Sequence, residues 1–142
     1  MRSPLAALGA AGIALGAVLT SAATAAAEPG QGAGDHLYVD HVEWAKWGDL
    51  SSLRVYPTDA ARALTQQPGS AAQADQAWTE VLALSPDADL PGMREQFVCH
   101  WTFAELAEPG KTSWNLEPWR PEVTPEAMLA AGCNPGGSEE PF

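Results

Sequence analysis

The sequence has 142 residues, 18 acidic against 7 basic side chains, and a formal net charge of −11. Such a surface repels phosphate backbones and anionic lipid heads, which argues against nucleic acid and membrane surfaces as partners. A chain of this length supports one hydrophobic core rather than two.

The first element is a targeting segment. Arg2 precedes an apolar stretch from Leu5 to Leu19, and small residues follow up to the Ala25-Ala26-Ala27 triplet, the pattern of a cleavable signal peptide over 1–27. Gly9, Gly12 and Gly16 dilute the stretch, which is shorter than the roughly 20 apolar residues of a spanning helix. No membrane anchor is therefore expected after cleavage, and the mature chain is expected to be secreted. Cleavage removes Arg2 and no acid, so the net charge of −11 falls by one to −12. That charge either attracts a cationic partner or simply keeps the protein soluble. The two cysteines, Cys99 and Cys133, are expected to pair, because an oxidising compartment favours the bridge and two thiols allow one intramolecular pairing.

Residues 28–36 are Gly-rich and read as a flexible leader, 37–135 as a single globular domain, and 136–142 as a mobile tail. Tyr38, Val39, Val42 and Trp44 predict a strand over 37–47. Alternation along it puts Asp40 and His41 on opposite faces. Gly48-Asp49 marks a turn into a second strand over 52–56, forming an antiparallel hairpin. Thr58 caps a short helix through Leu64, which Pro68-Gly69 ends. Ser70 and Gln73 form a capping box for the main helix, whose apolar face carries Ala74, Ala77, Trp78, Val81 and Leu82 up to Ser85-Pro86.

Residues 87–92 read as a loop and 96–103 as a strand, with Phe97, Cys99, Trp101 and Phe103 on one face and Gln96, Val98, His100 and Thr102 on the other. Glu108-Pro109-Gly110-Lys111 has type II turn chemistry, so a return strand over 112–117 is expected to pair with the Cys99 strand. Pro118-Trp119-Arg120-Pro121 reads as an extended surface segment. Thr124, Pro125 and Gly132 delimit a short helix that delivers Cys133. The expected fold class is α+β: a small, mostly antiparallel sheet packed by one main helix, with a short C-terminal helix tied by the disulfide.

Phe97-Val98-Cys99-His100, the run Thr112-Ser113-Trp114-Asn115-Leu116-Glu117-Pro118-Trp119-Arg120-Pro121, and Cys133-Asn134-Pro135 together resemble a family of small secreted bacterial domains, domain of unknown function number 2599, from about His41 to Pro135. The resemblance implies an exported domain with paired CH and CNP motifs and brings no activity, substrate or cofactor. A second resemblance, to the subtilisin-inhibitor family, rests on element order: strand, helix, cysteine-bearing segment, turn, strand and late cysteine. It implies a reactive loop after Cys99 with the scissile-type bond between Trp101 and Thr102. The sequence departs from that family in lacking its other disulfide and in carrying His100 where a loop-stiffening proline belongs.

Chemical motifs are sparse. His41-Val42-Glu43 lacks the Pro-Cys-x-x-Cys partner of a zinc deaminase. Asp35, His36, Asp40 and His41 offer metal-type donors but read as a solvated acidic strand. Ser113 and His100 with an aspartate lack a nucleophile elbow. No catalytic residue, cofactor or metal is expected. The expected function is a non-catalytic binding domain using the face around His100, Trp114, Trp119 and Arg120, with an unidentified extracytoplasmic protein or cell-wall component as partner. Trp119 is the indole most expected at the surface, either as a contact or clasped by Arg120. Protease inhibition through 97–103 and an extracytoplasmic hydrolase are the alternatives.

Overall fold

The computed structural model describes residues 36–137. The expected signal peptide, residues 28–35 of the expected leader and residues 138–142 of the expected tail lie outside them.

Three strands form an antiparallel sheet in the order β1-β2-β3: Val39–Trp47, Leu50–Pro57 and Trp114–Leu116. The hairpin turns at Gly48-Asp49 as its turn chemistry predicts. The register shifts between Val39 and His41. This irregularity breaks the strict alternation expected for β1, and His41 Nδ1 meets Asp40 Oδ2 at 2.6 Å instead of facing away from it.

Helix α1, Asp59–Thr65, begins where Thr58 Oγ1 accepts from the Ala61 N–H at 3.1 Å. The same hydroxyl donates to the Leu37 carbonyl at 2.7 Å, so one cap also ties the helix to the segment that leads into β1. Helix α2, Ala74–Leu84, is preceded by a 3-10 turn, Ser70–Gln73, and not by the expected capping box. The Ser70 carbonyl accepts the buried indole N–H of Trp101 at 2.9 Å. Glu80 of α2 is buried and its carboxylate accepts the backbone N–H groups of Leu37, Tyr38 and Val39 at 3.1, 2.8 and 2.9 Å. Leu37 and Tyr38 precede β1 and Val39 is its first residue, and without Glu80 the buried N–H groups of Tyr38 and Val39 would lose this acceptor.

The largest departure from the sequence pattern lies at 96–103, which is helix: α3 runs Met93–Ala107. Its buried residues include Met93, Gln96, Phe97, His100, Trp101, Ala104 and Glu105, an i, i+3, i+4, i+7, i+8 stripe. Three of these are polar, which disguised the stripe. Each has a partner: Gln96 exchanges two 2.9 Å bonds with the backbone of Glu117, His100 Nε2 meets the Asn115 carbonyl at 3.1 Å, and Glu105 binds the partly buried Arg62 guanidinium. The strand expected to pair with this segment is β3, and it pairs with β2 through Leu53↔Leu116 and Val55↔Trp114.

The core lies between the sheet and α2 and α3. Trp101 meets Trp114 edge to face at 6.1 Å and 84°, and Tyr38 meets Trp101 at 5.3 Å and 81°. Trp78 packs on Phe97 at 5.5 Å, which places it in the core as its helical spacing predicts. A second, smaller cluster sits apart from the main core: Cys99, Met128 and Cys133, with Phe103 and Val123 against it. It docks α4, Pro125–Ala130, which starts at the expected Thr124 cap and ends before Gly132. The bridge is formed between Cys99 and Cys133, 34 residues apart.

Candidate functional site

The structure does not assemble the face expected from His100, Trp114, Trp119 and Arg120. His100 is 4% exposed, Trp114 1% and Arg120 3%. Arg120 Nε donates to Glu117 Oε2 at 2.7 Å, and its Nη1 donates to the carbonyls of Pro135 and Gly137 at 3.1 and 2.8 Å. Glu117 Oε1 in turn accepts from Ser52 Oγ at 2.9 Å. A guanidinium desolvated this far must find acceptors, and the chain folds its C-terminal carbonyls onto it. Among the described residues, the chain is held to this guanidinium as far as Gly137. Gly136 is required there: a Cβ on it would lie 2.7 Å from Pro121 Cδ, and its φ is +86°. Trp119 is half-buried, with the Arg120 guanidinium 4.5 Å from its ring centre, so it forms the clasp and not a free contact.

The segment after Cys99 is a helix with Trp101 fully buried, so the reactive loop that the inhibitor resemblance implies is absent from it. Ser113 Oγ donates to Asn115 Oδ1 at 2.7 Å while His100 meets the Asn115 carbonyl, so both candidate hydrolase groups are engaged with Asn115. Among the described residues no three His, Cys, Asp or Glu side chains converge on a metal position.

A different region has the shape of a site. Two hollows of about 430 and 290 Å³ lie along α3 on the side facing α4. They share Phe103 and Leu129, which form a saddle between them, and the disulfide contributes Cys133 to one and Cys99 to the other. Leu106, at 63% exposure, and Leu129, at 50%, stand at the groove as large apolar side chains in solvent. The polar groups at the larger hollow include Lys111, paired with Glu108 at 3.9 Å, and His100. The smaller hollow has Arg94, paired with Asp75, and Glu95. An apolar concavity with a few charged groups at its margin is the usual form of a binding site.

Sequence patterning missed this groove because 96–103 read as strand. As helix, α3 carries a second stripe, Glu95, Val98, Cys99, Thr102, Phe103 and Leu106, again at i, i+3, i+4, i+7, i+8. α4 covers only part of it.

The matching family model is "Protein of unknown function (DUF2599)", over residues 39–136. The chain belongs to this family. The match takes in the three strands and four α-helices of the described residues, the disulfide and the groove between α3 and α4. Relatives include the uncharacterised proteins Rv0477 of Mycobacterium tuberculosis (strain ATCC 25618 / H37Rv) and Mb0487 of Mycobacterium bovis (strain ATCC BAA-935 / AF2122/97). Each is 54% identical over 137 residues, covering 92% of this chain and 92% of its own. The uncharacterised protein ML2452 of Mycobacterium leprae (strain TN) is 51% identical over 102 residues, 72% of this chain and 82% of its own. No solved structure matches.

Proposed function

We propose that this DUF2599 member is an exported binding domain that captures its partner in the α3–α4 groove without chemical turnover. Export is supported by the targeting pattern over 1–27 and by the paired cysteines. The observation that carries the binding role is the groove itself. Leu106 and Leu129 are held in solvent at the edge of an apolar concavity, where a domain without a partner there has no reason to keep them. The disulfide and the second cluster hold the two walls together, so little ordering remains to be lost when a ligand enters.

The test is selection of displayed random peptides on the oxidised mature chain, followed by hydrogen exchange with the selected peptides bound. Protection over 98–106 and 128–133 is the expected result. Protection confined to the sheet, or no selected binder, overturns the assignment.

A further inference from the structure

We propose that the occupant of the groove is a cationic amphipathic peptide segment, an inference that rests on the binding reading above and adds the class of partner. The two hollows lie on either side of the Phe103–Leu129 saddle, so one peptide lying along α3 can seat an apolar side chain in each. From Arg94 to Ala107 the wall is about 20 Å long at the helical rise, room for roughly four turns of a docked helix.

Charge selects among apolar occupants. Both cations on the lining are already engaged, Arg94 with Asp75 and Lys111 with Glu108. At the other extreme, Glu95 lines the smaller hollow, and Glu122 stands over the start of α3, its Cγ 3.5 Å from where a Cβ on Gly92 would sit. Both are exposed, and neither is in an ion pair among the described residues. The charge left at this end of the groove is therefore negative, on a chain whose net charge is −11. Basic side chains flanking the apolar ones of a peptide would meet it. An anionic lipid would be repelled, and a second copy would bring like charges together.

The probe is a labelled peptide of about four helical turns, with leucines at i, i+3, i+4 and i+7 and lysines elsewhere, titrated with the oxidised mature chain by fluorescence anisotropy. Saturable binding that weakens between about 0.05 and 0.3 M salt is expected. The double variant L106S/L129S should weaken it at least about tenfold, and E95K/E122K by a similar factor with a flatter salt dependence. All four side chains are exposed, so these variants should fold, which near-ultraviolet circular dichroism and the melting temperature would verify.

Equal affinity for a scrambled peptide of the same composition would overturn the proposal, since net charge alone would then explain the attraction. So would equal or tighter binding of a peptide with glutamate in place of lysine, or affinity unchanged in both double variants. If the lysine peptide fails while display-selected peptides still protect Phe103 and Leu129, the cationic class falls and the binding role stands. If neither binds, both fall.

Discussion

The indole N–H of Trp119 donates to the backbone carbonyl of Ser51 at 3.1 Å, in the place where the β3 ladder runs out of donors. The register Leu53↔Leu116, continued by two residues, sets Ser51 opposite Pro118, which has no N–H to give. The next residue's side chain supplies the missing donor. The Pro-Trp-Arg part of the WNLEPWRP run thus has a structural explanation: the proline ends the strand, the tryptophan completes its hydrogen bonding, and the arginine anchors the C-terminal segment.

Trp119→Phe should isolate this hydrogen bond. Leaving the Ser51 carbonyl without its donor costs about 1–3 kcal/mol, lowered where water reaches the half-buried site. Trp78→Ala, which empties a core position, should cost roughly 3–5 kcal/mol. Denaturant melts of the two variants check the ranking. A Trp119→Phe chain as stable as wild type would show that the indole bond contributes nothing net.

Arg120 should behave as a folding residue. Arg120→Ala leaves the buried Glu117 carboxylate without its cation and frees the carbonyls of Pro135 and Gly137. Breaking one side of such a pair costs about 3–5 kcal/mol. Pairing Arg120→Met with Glu117→Gln removes both charges and should recover part of that loss. A double-mutant cycle by chemical denaturation measures the coupling, and strictly additive effects would show that the two residues do not act as a pair.

The hairpin, α1, α4 and the disulfide were legible because local signals and tertiary packing agree there. Thr58 and Thr124 cap the helices they precede, and Gly48-Asp49 turns the hairpin. At α3 they conflict. Phe97, Cys99, Trp101 and Phe103 alternate like a strand, and the helical stripe appears only when Gln96, His100 and Glu105 are counted as buried. Their partners, Glu117, Asn115 and Arg62, lie 21, 15 and 43 residues away, so a local reading takes them for a solvent face. The groove inherited that error, since its inner wall is this helix. Glu80 was missed for a related reason: a carboxylate on a helix reads as solvated until the backbone amides of Leu37, Tyr38 and Val39 are seen to land on it.

The disulfide should matter most for α4. In the chain-entropy model a bridge over 34 residues contributes roughly 3–4 kcal/mol. The cluster around it is small and separate from the main core, so the sheet need not share all of that loss. Reduction should therefore raise hydrogen exchange over 124–133 before it does so over 53–55 and 114–116. Uniform loss of protection would make the two clusters one cooperative unit. Intact mass of the secreted product should show residues 1–27 missing and a loss of about two hydrogens relative to the dithiol.

At the rim of the sheet, Trp44 Nε1 donates to Ser85 Oγ at 3.0 Å and Ser85 Oγ donates to Asp87 Oδ1, a chain that ties β1 to the turn after α2. The hydrogen bond from Ser85, opposed by desolvation and helped to a lesser extent by Trp44 and the local backbone, holds the Asp87 carboxyl below the ordinary aspartate value of 3.8. Because the folded group is the stronger acid, the contact stabilises the fold above that ordinary value. The stabilisation is lost as pH falls through the lower folded value. The indole environment of Trp44 should therefore be constant from neutral pH down to about 4 and change only below it. The Trp44 indole N–H resonance, followed by heteronuclear NMR in wild type and Asp87→Asn, reads this directly. The wild-type resonance should move in the acid range, and the variant, which has no carboxyl to titrate, should not move with it. A wild-type midpoint at or above 3.8 would mean that Ser85 does not hold the carboxylate.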